Sequence, residues 1–354
     1  EFDEGVEELI RMQDGGCFDT DDDGMVAGPG DANSAEAMDD CFFPDMPYQG
    51  ADFQWLAANV DGSGTTEAGL DNAFETAIPP YTIETADNGE KIAFIGMTLE
   101  GTDELVAAAG LKGFTFEDEV TAAATAADAI QAEDADVEAM VLMLHEGGIP
   151  SPFAINGCAG ISGPVVEIAE NMNAEIDAII TGHTHQPYTC SINDPDDNPR
   201  PVVSAWEFGK VVTELNLTFD ADGDIVREGA GAPTMENHAV LQSELTADPA
   251  VTAVIDKWTP LAEAIGDTQV GTITADITRG GDPTGSDRGV ESAAGNLVAD
   301  AQLWATSSNG AQVAFMNPGG VRSDLTYLES ASEGDGVVTY GEASSFQPFG
   351  NTLL

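Results

Sequence analysis

Basic residues are scarce in this 354-residue chain, which has 10 lysines and arginines against 64 acidic residues and a formal net charge of −54. A nucleic-acid ligand is therefore not expected, because phosphate backbones are bound by basic patches. The chain can still bury a core, since 42% of its residues are hydrophobic. We expect a halophilic protein, because molar salt shortens the Debye length to about 3 Å. The alternative, a basic partner, is weaker because the acidic residues are spread along the whole sequence.

Long apolar runs and cysteines are also few. No run approaches the roughly 18 residues that a membrane-spanning helix needs. The four cysteines include no C-x-x-C spacing, which argues against zinc-ribbon and thioredoxin sites. The neighbouring cysteines Cys17 and Cys41, and likewise Cys158 and Cys190, could form disulfides that each close a local loop, which would suit an oxidising compartment. The alternative is four buried free thiols.

Only four histidines occur, and three of them follow apolar runs that predict buried strands. His145 ends the run 139–144, and His183 and His185 follow the run 176–180 in the stretch GHTH. Open α/β sheets carry their chemistry at the carboxyl ends of strands, so we expect three imidazoles at one rim. Side chains at i and i+2 of an extended segment share one side, where they can bind one metal or bridge two. A polar cap on the strand is the alternative.

Strands and helices alternate along the chain up to GHTH, which is typical of an α/β protein. The predicted strands cover 53–60, 91–98, 139–144, 176–180, 201–206, 210–219 and 312–316. The predicted helices cover the opening residues with Asp3 as cap, 120–135, 164–173, 251–265 and 293–304. The length fits about two domains. We place them at 1–234 and 269–354, joined by a linker and connecting helix at 235–268.

The second predicted domain holds two arginines near a glycine turn. Arg288 precedes a predicted helix, and Arg322 follows Gly319 and Gly320 in the turn NPGGVR. The planar guanidinium matches phosphate oxygens, and glycines let the backbone approach an anion. The alternative is that each arginine pairs with a surface acid. Phe349 can either stack on a base or fill the core.

Taken in order, these motifs resemble the 5′-nucleotidase and 2′,3′-cyclic nucleotide phosphodiesterase family of metallophosphoesterases. EFDEGVEEL, FQWLAANV, MLHEGG and DAIITGHTHQPY match its first domain, and RGVESAAGNLVADA, NPGGVRSDL and QPFGNTLL match its second. The resemblance implies a calcineurin-like αββα sandwich followed by a smaller α/β nucleotide-binding domain. It also implies an exported enzyme that hydrolyses nucleotide phosphate esters to nucleoside and phosphate.

The resemblance assigns roles to particular residues. His145, His183 and His185 would bind two divalent ions, for which nitrogen and oxygen ligands suit Zn, Mn or Fe. Asp3 would orient a catalytic histidine, Arg288 and Arg322 would bind phosphate, and Asn317 and Phe349 would contact the base. Three alternatives stay open: cyclic nucleotide phosphodiesterase activity, nucleotide-sugar hydrolysis, and a non-catalytic nucleotide-binding surface protein.

The resemblance also predicts that the chain is a truncated form of a longer protein. The family's first metal-binding motifs would precede Glu1, as would any export signal, and its second stacking phenylalanine would follow Leu354. We therefore expect this chain by itself to be inactive.

Overall fold

The computed structural model describes residues 2, 5–16, 43, 48–106, 108–221, 223–328 and 334–349. The chain divides into two compact units, Glu1–Gln242 and Ser243–Leu354. The three domain bounds predicted above stay a prediction. Asp3, Cys17 and Cys41 lie outside the described residues. Within the described residues, no helix is long and apolar enough to cross a membrane.

The first unit is a mixed α/β structure. Its helices are α1 (Val6–Asp14), α2 (Leu70–Ala77), α3 (Ala108–Leu111), α4 (Glu119–Glu133) and α5 (Pro164–Asn171), with a 3₁₀ turn at Glu100–Glu104. Its strands are β1 (Val60–Asp61), β2 (Tyr81–Thr85), β3 (Lys91–Met97), β4 (Thr115–Phe116), β5 (Val137–Leu144), β6 (Ala178–Thr181), β7 (Pro187–Asn193), β8 (Pro199–Ala205), β9 (Val211–Asn216) and β10 (Thr234–Ala239). The predicted α/β class is confirmed.

Six strands form one sheet in the order β2-β3-β5-β6-β8-β7. The four central strands are parallel and the two edge strands are antiparallel. Central parallel strands are covered on their faces, which explains why the runs of β3 and β5 are almost continuously apolar. Helices α4 and α5 pack on the sheet, with Ile130 and Val165 fully buried against Leu142 and Ile179. Asp118 caps α4 by accepting a hydrogen bond from the Thr121 N–H.

Two features of the first unit differ from the sequence-based expectation. The cap of α1 is Gly5, with no side-chain hydrogen bond, in place of the predicted Asp3. Residues 53–60, predicted as a strand, are irregular until β1, which pairs only with β4. The Ala57 N–H donates to the carbonyl of Pro79 and the Ala58 N–H to that of Gly96, so successive donors bond two different segments and no continuous ladder forms.

The buried side chain of Asn59 takes over part of the missing pairing. It bonds the carbonyls of Thr98 and Glu117 and accepts from the Thr98 N–H at 2.9 Å. One side chain thus replaces several ladder hydrogen bonds.

The second unit is smaller and carries its own core. It contains α6 (Pro249–Gly266), β11 (Gln269–Thr272), α7 (Ala293–Thr306), β12 (Val337–Thr339) and α8 (Tyr340–Phe346), with 3₁₀ turns at Gln242–Glu244, Ser307–Asn309 and Pro318–Gly320. Strands β11 and β12 pair antiparallel. Its core includes Ala294, Val298, Val321 and Phe346.

One strand prediction in the second unit was wrong. Residues 312–316, predicted as a strand, form none in the structure, because Val313 and Phe315 are exposed and no strand lies beside them within the described residues. The residues of the predicted linker 235–268 include most of β10, Thr234–Ala239, which pairs with β9.

Candidate metal centre and anion site

The four parallel strands end at one rim of the sheet. Strands β3, β5, β6 and β8 finish at Met97, Leu144, Thr181 and Ala205, so the residues that follow each strand meet there. His145 follows β5 directly, and His183 and His185 follow β6. The structure brings His145 and His183 together, with ring centroids 5.3 Å apart at an interplanar angle of 68°.

Glycines let the two histidine loops touch. A Cβ on Gly147 would lie 2.3 Å from the carbonyl oxygen of Gly182, and one on Gly182 would lie 3.4 Å from Nδ1 of His145. The Gly182 N–H donates to the Glu146 carbonyl, and the Thr184 hydroxyl donates to the Gly148 carbonyl at 2.8 Å. The motifs HEGG and GHTH therefore form one hydrogen-bonded pair of loops.

The predicted extended geometry of GHTH was wrong. His183 and His185 have φ of 60° and 54°, in the left-handed region, and the Thr184 N–H donates to the Gly182 carbonyl at 2.7 Å. This tight turn replaces the extended chain in which positions i and i+2 share a side. The His185 ring instead contacts Phe208, with centroids 5.2 Å apart, and its Nδ1 lies 2.7 Å from Oε2 of Glu207.

The histidine pair fits a divalent metal. Two imidazoles that share one ion at a tetrahedral angle have centroids about 5 Å apart, since each nitrogen lies about 2.1 Å from the ion. The observed 5.3 Å between His145 and His183 matches this separation. His185 does not join a three-ligand cluster with them among the described residues.

Three carboxylates also lie close enough together to share a cation within the described part of the chain, namely Glu100, Asp118 and Glu119. Oxygens of two of them, Asp118 and Glu119, already accept protein hydrogen bonds. Asp118 accepts from Thr121, and Glu119 accepts from the Glu100 N–H at 2.9 Å. Burial raises the pKa of Glu119. These carboxylates serve the start of α4, and we assign them no ion.

The second unit gathers most of the predicted anion-binding residues around one turn. Asn317 caps the turn by accepting from the Gly319 N–H at 3.1 Å. A Cβ on Gly319 would lie 3.4 Å from Nη1 of Arg288. Arg322 lies over the Phe349 ring, 5.7 Å from its centroid, and donates to the Gly319 carbonyl at 3.1 Å. Gly320 faces Met316, whose Cε would lie 2.5 Å from an added Cβ.

Arg288 and Arg322 differ from the other arginines in their ion pairing. The other four arginines form ion pairs, Arg11–Glu8, Arg200–Asp194, Arg227–Asp177 and Arg279–Asp324. Within the part of the chain that the structure describes, no carboxylate pairs with Arg288 or Arg322. The alternative weighed above, pairing with surface acids, is therefore not observed for them. Phe349 is 42% exposed, so it does not fill the core.

Two residues at the rim, Glu207 and Phe208, were not predicted from the sequence. Both follow β8, the fourth parallel strand of the rim. The strand-end rule that selected His145 applies to them equally, because residues 201–206 were predicted as a strand. Glutamate and phenylalanine are less specific indicators of a metal site than histidine is.

Comparison with known proteins is consistent with this geometry. Residues 269–354 match the family model described as the 5′-nucleotidase C-terminal domain. A solved 5′-nucleotidase precursor from Thermus thermophilus superposes with a TM-score of 0.62 at 25% identity, covering 85% of this chain and 54% of that one. The resemblance to 5′-nucleotidases and the α/β fold are thereby confirmed.

Two curated relatives match along the whole chain. It is 28% identical over 354 residues to endonuclease YhcR of Bacillus subtilis, which covers 100% of this chain and 24% of that protein. It is also 28% identical over 369 residues to cell wall protein Lmo0130 of Listeria monocytogenes, covering 100% of this chain and 42% of that protein. The chain thus spans less than half the length of these two relatives.

Proposed function

We propose that this protein is a phosphoric ester hydrolase of the 5′-nucleotidase type, which releases nucleoside and phosphate from nucleotides. The observation that carries the proposal is the cluster of Arg288 and Arg322, without carboxylate partners among the described residues, beside the exposed Phe349 ring. Two guanidinium groups and one aromatic face match the phosphate and the base of a nucleotide. The match of residues 269–354 to a 5′-nucleotidase domain supports the same substrate.

The second unit would recognise the nucleotide. Arg288 and Arg322 would donate charge-assisted hydrogen bonds to phosphate oxygens, and molar salt weakens such contacts little at this range. Phe349 would stack on the base, which contributes about 1–3 kcal/mol on comparable aromatic platforms. The side-chain oxygen Oδ1 of Asn317 accepts a hydrogen bond from the Gly319 N–H. The side-chain NH₂ group of Asn317 would therefore donate to an acceptor on the base. Gly319 lets the backbone of the turn lie close to Arg288, which would bind the phosphate.

The rim of the six-stranded sheet would hold the metals. We propose two divalent ions of Zn, Mn or Fe, with His145 and His183 on one and His185 on the other. The ions, when bound, supply Lewis-acid polarisation of the phosphate ester. The imidazoles contribute neutral nitrogen ligands on short loops whose positions are set by the hydrogen bonds between HEGG and GHTH. Asp3 is proposed, from the resemblance, to orient a catalytic histidine.

The test is phosphate release from AMP by the full-length natural protein in molar KCl with Mn²⁺ or Zn²⁺. Release should be lost with a chelator and restored by metal. His183→Ala should lower both turnover and bound metal, whereas His238→Ala, at an exposed pair with Glu214, should change neither. Unchanged metal stoichiometry in His183→Ala would refute the metal assignment.

The same assay separates the open alternatives. Parallel reactions with 2′,3′-cyclic AMP, a nucleotide sugar and single-stranded DNA test the cyclic phosphodiesterase alternative, the nucleotide-sugar alternative and the predicted absence of a nucleic-acid substrate. Tight AMP binding without hydrolysis of any substrate would instead indicate a non-catalytic nucleotide-binding protein.

We also infer that the protein is exported. Cys158 and Cys190 form a disulfide across 32 residues, and disulfides persist in oxidising compartments. One relative is named a cell wall protein. Alkylation without reductant of protein taken from its native compartment should leave Cys158 and Cys190 unlabelled, and labelling of both would contradict export.

A further inference from the structure

Backbone strain concentrates at one end of the sheet. Among the described residues, six non-glycine residues have left-handed φ, namely Lys112, His183, His185, Asp197, Trp206 and Phe208. Four of these six follow β6 or β8, which are hydrogen-bonded neighbours. Bulky residues in this region are strained and are retained mainly at functional sites. The turn 206–209 therefore has the same unusual backbone conformation as the GHTH turn beside it.

Glu207 joins these two turns. Its Oε2 lies 2.7 Å from Nδ1 of His185, and its Oε1 accepts from the ammonium of Lys210. The Glu207 side chain is 19% exposed, less than His185 at 33% or Lys210 at 46%. Both carboxylate oxygens are thus engaged by groups on different sides, which leaves the carboxylate little rotational freedom.

Lys210 is itself held in place. Its ammonium lies 5.1 Å from the ring centroid of Trp206 and 5.5 Å from that of Phe208, within the range of cation–π attraction. The Lys210 N–H also donates to the Glu207 carbonyl at 3.0 Å, which closes the turn. The strained turn therefore fixes the lysine, and the lysine fixes the carboxylate that meets His185.

We propose that Glu207 is a positioning residue that holds His185 in the Nδ1–H tautomer, so that Nε2 is the nitrogen offered to metal. A carboxylate oxygen 2.7 Å from Nδ1 repels a lone pair there and favours a proton on that nitrogen, which leaves the lone pair on Nε2. Metal-binding histidines commonly donate their second ring nitrogen to a carboxylate, which fixes the ring and raises its basicity. The proposal rests on the proposed function, because it takes His185 as a metal ligand.

The chain contains a matched pair for comparison. Glu214 and His238 also form a histidine–carboxylate contact, at 3.2 Å, but their side chains are 57% and 47% exposed. They lie on β9 and β10 and not at the rim. Removing the carboxylate of Glu207 or of Glu214 changes the net charge by the same amount. A difference in metal affinity between the two variants therefore reflects where each carboxylate lies in the structure.

Two measurements on the full-length protein in molar KCl test the proposal. The first is ¹⁵N NMR of the metal-free protein above the titration range of histidine, roughly pH 8. His185 should show the Nδ1–H tautomer, and Glu207→Ala should shift it toward a mixture. The second is the affinity for Mn²⁺ and Zn²⁺ by calorimetry. Glu207→Ala should weaken the binding of one ion by about 10-fold or more.

Control variants make each outcome decisive. Glu207→Gln should give an intermediate loss, because one amide oxygen cannot serve His185 and Lys210 together, and it is the conservative variant if Glu207→Ala does not fold. Glu214→Ala should leave metal affinity and the His185 tautomer unchanged. Wild-type affinity in Glu207→Ala and Glu207→Gln, or lost affinity with an unchanged tautomer, would overturn the positioning role.

His185→Ala separates this proposal from the proposed function. If His185→Ala binds both ions as tightly as the wild type, the metal assignment of His185 fails. If His185→Ala loses metal while the Glu207 variants do not, the metal assignment stands and only the positioning role fails.

Discussion

Arg322 shows how one residue can distinguish substrate recognition from surface charge. It is one of two arginines without a carboxylate partner among the described residues, and it lies over the Phe349 ring. Arg322→Ala should weaken AMP binding about 10- to 100-fold, because hydrogen bonds to charged groups contribute about 1.5–3 kcal/mol. Calorimetry with AMP in molar KCl measures this change.

Two further variants show whether the loss of AMP affinity comes from a specific contact or from net charge. Arg322→Lys should recover only part of the affinity, since an ammonium cannot form the planar two-point contact of a guanidinium. Arg11→Ala removes an arginine of the first unit that already pairs with Glu8, and it should leave AMP affinity unchanged. Equal losses for Arg11→Ala and Arg322→Ala would mean that net charge, and not a specific site, controls binding.

Asp177 is a buried carboxylate immediately before β6. Desolvation raises its pKa from the usual 3.8 to about 6, although Arg227 at 2.6 Å and the Met140 N–H oppose this shift. The folded state then holds the proton more tightly than the unfolded state. The stability that Asp177 contributes is therefore present below about pH 4 and is lost as pH rises to about 6, by about 3 kcal/mol at most.

Asp177→Asn tests this pH dependence, because asparagine does not titrate. The melting temperature of the wild type relative to Asp177→Asn should fall as pH rises from about 4 to about 6 in molar KCl. Asp194 provides the opposite control. Burial tends to raise its pKa, but hydrogen bonds from Asn198 and Asp196 lower it overall. The wild type should therefore gain stability relative to Asp194→Asn as pH rises through the acid range, and parallel curves for both variants would refute the Asp177 pKa.

At the scale of elements, the disulfide ties a long loop to the edge of the sheet. Cys158 lies before α5, and the fully buried Cys190 lies in β7. The pairing predicted from the sequence is confirmed for these two cysteines, whereas Cys17 and Cys41 lie outside the described residues. Closing such a loop typically contributes about 2–4 kcal/mol, mainly by constraining the unfolded chain.

Replacing both Cys158 and Cys190 by alanine should therefore lower the free energy of unfolding by about 2–4 kcal/mol. Denaturant unfolding in molar KCl measures it, with and without reductant. Reductant should destabilise the wild type more than this double variant, because the variant has already lost the bond. A double variant as stable as the oxidised wild type would show that the strand pairing of β7 with β8 alone holds this edge.

For the whole molecule, the dominant quantity is the formal net charge of −54. At about 0.1 M salt the Debye length is about 10 Å, so neighbouring carboxylates repel, whereas at about 1 M it is about 3 Å. The melting temperature should climb steeply from dilute buffer to molar KCl. Molar sucrose stabilises by exclusion without screening and should give a much smaller rise. A flat response to KCl would show that carboxylate repulsion does not limit stability.

The elements predicted correctly share one property, which is that the signal lies within a short segment. The apolar runs of β3 and β5, the alanine-rich helix α4 and the helical spacing of α6 and α7 each report local periodicity. The predictions for 53–60 and 312–316 failed because an apolar run becomes a strand only where a partner strand offers donors and acceptors. Whether such a partner is present depends on the tertiary structure.

Some features of the candidate site could likewise be predicted from local sequence, whereas others depended on the tertiary structure. Local sequence was enough to predict that His145 and His183 would meet, since each follows a strand and parallel strands end at one rim. The acidic charge and the NPGGVR turn could likewise be read from the residues themselves. Three features needed the folded chain: GHTH turns through left-handed positions, Arg288 and Arg322 lack carboxylate partners among the described residues, and Glu207 reaches His185. The contact of Glu207 with His185 depends on β8 lying next to β6, a long-range pairing whose partner cannot be read from either strand.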